Sequence, residues 1–215
     1  MEFNLDPVEV RVLGSLVEKE MTTPEYYPLT LNALINACNQ KSNRDPAVGF
    51  DEDTVLEALE RLRSKKLVST ITGAGIRVPK HRELLSEALN LGRRELALVC
   101  VLMLRGPQTV GELRGRTESA HSFTDLEEVE NCLQRLVEQE LAARLPRGPG
   151  TKEPRYAHLL SGPVKQEQAA APQPAPARSG QERLAALEAE VAQLREEVRS
   201  LKEQLTDLQR QLGII

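Results

Sequence analysis

His81, His121, His158, Cys38, Cys100 and Cys132 have the widest chemical repertoire in this 215-residue chain. Their spacing gives no metal-ligand pattern: neither CxxC nor HExxH occurs, and no P-loop or GxGxxG motif follows a strand. The cysteines fall at apolar helical positions, as reduced core thiols would. Ser119, His121, Ser122 and Asp125 bring nucleophile, base and carboxylate types together, but Ser, Thr and Asp ahead of a helix ordinarily cap it. The expectation is a non-enzymatic protein with no catalytic residues, no metal and no cofactor.

The second chemistry on offer is that of cations. Arg77, Lys80 and Arg82 stand in the acid-free stretch Val68–Arg82, and Arg144, Arg147, Lys152 and Arg155 stand against Glu153 alone in Leu141–His158. Lys41 and Arg44 lie in a polar loop between them and the N-terminus. Clusters of this kind on hairpins contact phosphates, which makes binding strongly salt-dependent. The same residues would equally serve to blunt exposed strand edges. Tyr26 and Tyr27, in a proline-bounded loop, are candidates for docking a protein partner, with local packing as the other reading.

Composition restricts the partners. Net charge is −4 and the isoelectric point about 5.6, so the chain does not coat nucleic acid or an acidic membrane through bulk charge. Aromatic residues make up 3 % and Trp is absent, which argues against a platform that stacks successive bases. The longest apolar run, Leu96–Leu104, falls far short of the ~20 residues of a bilayer span. No secretory signal pattern opens the chain, and a cytoplasmic address is expected.

The elements that must position these residues come in two series. Asp6, Pro7 and Glu9 form a helix start, and Val10, Leu13, Leu16, Val17 and Met21 give it an apolar stripe. Thr30 caps a second helix with Leu31, Leu34, Ile35 and Cys38 inward. Asp51 caps a third, carrying Val55, Leu59 and Leu62. Leu67–Thr70 and Ile76–Val78 then read as a hairpin. In the second series Leu96–Leu104 reads as a buried helix. Thr109 with Glu112 and Thr124 with Glu127 form capping boxes for two more helices, and Leu141–Leu145 with Arg155–Leu159 form a second hairpin.

At a constant offset of 74 residues, Val55, Leu59, Arg61, Leu62, Leu67 and Ile71 fall on Val129, Leu133, Arg135, Leu136, Leu141 and Leu145. Three helices running into a hairpin, twice, predict a mainly α protein with small β-hairpins. Its domains are two tandem winged helix-turn-helix units, over residues 5–82 and 91–160. The stretch from Arg11 to Pro46, RVLGSLVEKEMTTPEYYPLTLNALINACNQKSNRDP, resembles the signature of the YceH-type family of uncharacterised bacterial proteins. That resemblance implies tandem winged helices and a helical tail, and it implies no reaction.

In such folds the third helix normally enters the major groove. Here Asp51–Lys66 carries five acids, three of them at the helix start, and Asp125–Glu140 carries six acids against Arg135. Any nucleic-acid contact is therefore expected to be led by the wings. The alternative is a protein-interaction scaffold.

Residues 162–180 are rich in Pro, Ala and Gln and read as a linker to a coiled coil over 181–213. Leu184, Leu187, Val191, Leu194, Val198, Leu201, Leu205, Leu208 and Leu212 follow at alternating steps of three and four. Val at two a positions and Leu at every d favour a parallel pair. So do the opposite-sign contacts Arg183–Glu188′, Glu190–Arg195′ and Glu197–Lys202′. The sequence thus predicts a homodimer through the tail, the other reading being a helix folded back on its own domains.

Overall fold

The computed structural model describes residues 3–73, 77–147 and 153–163. The coiled coil, almost all of the linker, Ile76 and Lys152 lie outside the described residues.

The first helix, α1 (Pro7–Thr22), starts where the local chemistry says it must. Asp6 accepts from the backbone N–H of Val8 and Glu9, Glu9 returns a bond to the Asp6 N–H, and Pro7 occupies a first-turn position whose amide has no helical partner. A short 3-10 turn, Pro24–Tyr26, leads into β1 (Leu29–Thr30), a two-residue strand that the sequence pattern did not announce. Then follow α2 (Leu31–Cys38), capped by Thr30, and α3 (Glu52–Ser64), capped by Asp51. β2 (Val68–Ile71) and β3 (Lys80–Glu83) complete an antiparallel sheet in the order β1-β3-β2.

The second strand of this hairpin is not Ile76–Val78. Arg77 and Val78 sit in a bend and Val78 is exposed, whereas Lys80–Glu83 pairs on both sides and alternates, burying His81 and Glu83. Cross-strand register outweighed the local β-branched signal.

After the single turn α4 (Leu85–Ala88), the order recurs: α5 (Arg93–Arg105), α6 (Val110–Thr117), α7 (Leu126–Glu138), and the hairpin β4 (Ala142–Arg144) with β5 (Tyr156–His158). The Thr109–Glu112 capping box forms as read. The cap of α7 is Asp125 rather than Thr124, because the Glu128 side chain takes the Thr124 N–H while Asp125 accepts from the Glu128 N–H. Gln108 bridges Tyr156 just before the Thr109 cap, as Leu29 pairs with His81 just before the Thr30 cap. The described residues are thus mainly helical with small antiparallel sheets.

Nine consecutive residues of α1, Glu9–Val17, and nine of α5, Leu96–Leu104, are buried on every side, so each helix is enclosed rather than amphipathic. They pack on each other. Cys100 Sγ lies 3.5 Å from the Gly14 carbonyl, and a Cβ on Gly14 would stand 2.9 Å from Leu104 Cδ2, so this residue type permits the approach. One hydrophobic cluster includes Leu34, Val55 and Leu62 of the first series with Leu98, Leu113, Leu133 and Leu136 of the second.

The loop between α2 and α3 has thirteen residues, Asn39–Asp51, against eight between α6 and α7. It is pinned from inside. Asn39 exchanges two 2.8 Å bonds with the Phe50 backbone. Arg11, buried on α1, donates to the carbonyls of Cys38 and Pro46, and the Asp45 N–H reaches the Leu104 carbonyl at the end of α5.

Candidate functional site

The residues with the richest chemistry are committed to structure. All three thiols are buried, and burial pushes Cys38 up to about 11 and Cys132 up to about 12. Burial pushes the His158 imidazole down to about 4. His121 meets Phe123 edge-on at 4.7 Å, Ser122 donates to Glu118, and Asp125 is the α7 cap. Among the described residues, no three His, Cys, Asp or Glu side chains gather as a metal site would require.

The cations behave differently from one another. Arg44, expected on a solvent-facing loop, is withdrawn from it: its side chain is 0 % exposed, pairs with Glu18 at 2.6 Å, and donates to the Ala37 carbonyl. A buried guanidinium fully used in this way holds the loop and cannot meet a phosphate. Arg82 pairs with Glu87, and Arg155 bonds the Pro107 carbonyl and lies 3.4 Å from Glu112. Lys80 is half-buried, while Lys41, Arg77, Arg144 and Arg147 are exposed. The two tyrosines part company as well. Tyr27 turns inward, its hydroxyl accepting the Glu83 N–H at 2.5 Å, whereas Tyr26 is 73 % exposed.

One groove collects several of these side chains. It runs between the first turn of α6, the outer face of α7 and the β4–β5 hairpin. Its lining includes Glu130, Asn131, Gln134, Arg144, Arg147 and Tyr156. The heptad-like spacing of Val129, Cys132, Leu133 and Leu136 buries the opposite face of α7 and leaves 130, 131 and 134 outward. Register places Arg144 across from Tyr156 on the hairpin. Chemically the groove offers two amides, each both donor and acceptor, beside two guanidiniums. That is the combination that reads base edges and grips phosphates. Among the described residues that line it, Glu130 and Glu153 stand against Arg144 and Arg147.

Charge counting along α7 missed Asn131 and Gln134, because a sum over the helix averages its faces. Helical periodicity anchored on Val129 and Leu133 contained the signal. At the equivalent offset the first series carries Leu56, Glu57, Glu60 and Thr70, which supply neither amide nor cation.

A carboxyl pair lies apart from this groove. Glu20, near the end of α1, neighbours Glu83 of β3. Glu83 is buried and accepts from the Ser86 hydroxyl and N–H, while Glu20 Oε2 is buried and has no hydrogen-bond partner among the described residues. Burial first, and then the adjacent Glu83 carboxyl, raise the Glu20 carboxyl to about 7. A raised value means that the folded protein holds this proton more tightly than the unfolded chain. The resulting stability is complete below the ordinary glutamate value and is lost as pH rises through about 7. Glu20→Gln should remove this fall. Urea unfolding of both proteins at acidic and at mildly alkaline pH checks it: the variant gains on the wild type as pH rises, and a constant difference between them would contradict the assignment.

Comparison with known proteins places the chain in company. Residues 5–151 match a family described as "Protein of unknown function, DUF480". The chain is similar to a UPF0502 protein of Solibacter usitatus, 58 % identical over 194 residues that cover 90 % of this chain and 94 % of that one. It is 55 % identical over 195 residues to a UPF0502 protein of Citrifermentans bemidjiense, covering 89 % and 90 % of the two. A UPF0502 protein of Pelobacter propionicus is 58 % identical over 167 residues, 77 % of this chain and 76 % of that one. The stretch Arg11–Pro46 falls inside the family match.

Proposed function

The chain belongs to the DUF480 family, and from that premise we propose that it is a non-enzymatic regulatory protein of two winged helix-turn-helix units that touches duplex nucleic acid through its second wing. The observation that carries this reading is the groove in which Arg144 and Arg147 of the hairpin share a lining with Asn131 and Gln134 of α7. The twofold recurrence of three helices and a hairpin supports the winged-helix description. The acids Glu127, Glu130 and Glu138 on α7, and Glu52, Asp53, Glu57 and Glu60 on α3, are all exposed and oppose deep entry into the major groove. The hairpin therefore leads, and phosphate contact dominates. In the same proposal the heptad residues Leu184–Leu212 pair two chains in parallel, presenting two such grooves to one duplex in the cytoplasm.

Fluorescence anisotropy with a labelled duplex across a salt series tests the reading. Each phosphate contact contributes about 0.9 to the slope of log affinity against log salt, so Arg144→Gln with Arg147→Gln should lower the slope by about 1.8. Absence of binding at low salt, or an unchanged slope in the double variant, would remove the proposal.

A second reading, a protein-docking scaffold, draws on Tyr26, which remains 73 % exposed while Tyr27 is anchored.

A further inference from the structure

Where the two series meet, the cations Lys41, Arg44, Arg105 and Arg116 outnumber the carboxylates Glu18, Asp45 and Glu112. Arg105, at the end of α5, is half-buried, and its Nη2 donates to Asn43 Oδ1 in the α2–α3 loop. Among the described residues it has no carboxylate within ion-pair distance. Burial, and then the neighbouring guanidiniums of Arg116 and Arg44, push Arg105 below the usual arginine range, against the smaller opposing pull of the Glu18 and Asp45 carboxylates. Arg44 is neutralised by Glu18 and closed to solvent, whereas Arg116 is exposed on α6. Lys41, also exposed, stands two residues before Asn43 on the same loop. The surplus of positive charge left by these carboxylates favours an anion brought from outside.

The position of the cluster says which anion. Arg116 lies 3.5 Å from Glu112, and Glu112 lies 3.4 Å from Arg155. Arg155 stands between Pro154 and Tyr156, and Glu112 follows Gly111; Pro154, Tyr156 and Gly111 all line the wing groove. A continuous surface therefore runs from Arg144 and Arg147 over the first turn of α6 to Arg116, Arg105 and the α2–α3 loop. A single small anion would span only part of it. A polymer with regularly spaced phosphates would follow its whole length, and an α6-type helix, the first of a helix-turn-helix pair, is the one that ordinarily crosses the phosphate backbone.

We infer that Arg105, Arg116 and Lys41 form a second phosphate-contact surface, across the seam between the two series, for the backbone of the same duplex that enters the wing groove. The inference deepens the groove reading and rests on it for the identity of the partner. It also gives the long α2–α3 loop a purpose: the internal bonds of Arg11, Arg44 and Asn39 hold Asn43 against Arg105 and so set the cluster.

Anisotropy titrations of the full chain with labelled duplex DNA across a salt series, with inorganic phosphate as a competitor, test this. Arg105→Gln with Arg116→Gln should lower the salt slope by about 1.8 relative to wild type. Lys41→Gln with Arg116→Gln keeps the Arg105–Asn43 bond, and should do the same even if the first variant folds poorly. Inorganic phosphate should compete weakly. If wild type binds and the Lys41/Arg116 variant keeps both affinity and slope, the seam surface is overturned while the groove reading stands. If only the seam variants lose slope and the Arg144/Arg147 variant does not, the groove reading falls and the seam remains. If wild type binds no duplex at low salt, both fall.

Discussion

Arg44→Ala should cost about 3–5 kcal/mol of folding stability, the loss typical of breaking a buried, hydrogen-bonded ion pair from one side. The Arg44 guanidinium is closed to solvent, and its removal leaves the mostly buried Glu18 carboxylate without its 2.6 Å partner. It also orphans the Ala37 carbonyl, which accepts from both Nε and Nη2. Glu18→Gln acts from the other side by leaving the guanidinium without a counter-charge, and should be strongly destabilising as well. Urea denaturation reads both effects. A loss below about 1 kcal/mol in both variants, the range of exposed pairs, would mean that the pair is solvated and that the loop is not pinned from within.

The second large effect lies at the junction of α1 and α5. Leu16 and Leu102 are 0 % exposed, one in each series, and truncating either to alanine should cost about 2–5 kcal/mol. Because both leucines belong to one hydrophobic cluster, either substitution should lower the stability of both series together. Hydrogen exchange resolved along the chain distinguishes the outcomes. Equal loss of protection in α3 and α7 is expected, in a single unfolding transition. Two transitions, with Leu102→Ala loosening only α5–α7, would show that the halves are independent and that the α1–α5 contact is a docking surface rather than a shared core.

Much of the fold was legible because its signals are local. Asp6–Pro7–Glu9, Thr30, Asp51 and Thr109–Glu112 announce helix starts within one turn, and all four are used as read. The nine apolar residues from Leu96 read as a buried helix because charged residues precede them and Arg105–Gly106 follows; Gly106 ends α5 at φ +70°, where glycine costs least. What escaped depends on residues distant in sequence. Lys80–Glu83 is a strand because β1 and β2 flank it, and nothing in its own composition says so. Arg44 looked like a surface cation because its partner, Glu18, is 26 positions away. The site was half visible: Arg144 and Arg147 were read as wing cations, whereas Asn131 and Gln134 emerged only once the buried face of α7 was fixed.

The central claim is that α7 and the second hairpin together form the surface a duplex occupies. Backbone and side-chain amide shifts of the isotope-labelled protein, followed as duplex DNA is added at low salt, test it most directly. The account predicts the largest changes at Asn131, Gln134, Arg144 and Tyr156, extending to Arg116 and Asn43. Changes centred on α3, or a spectrum that does not respond to DNA, would contradict it.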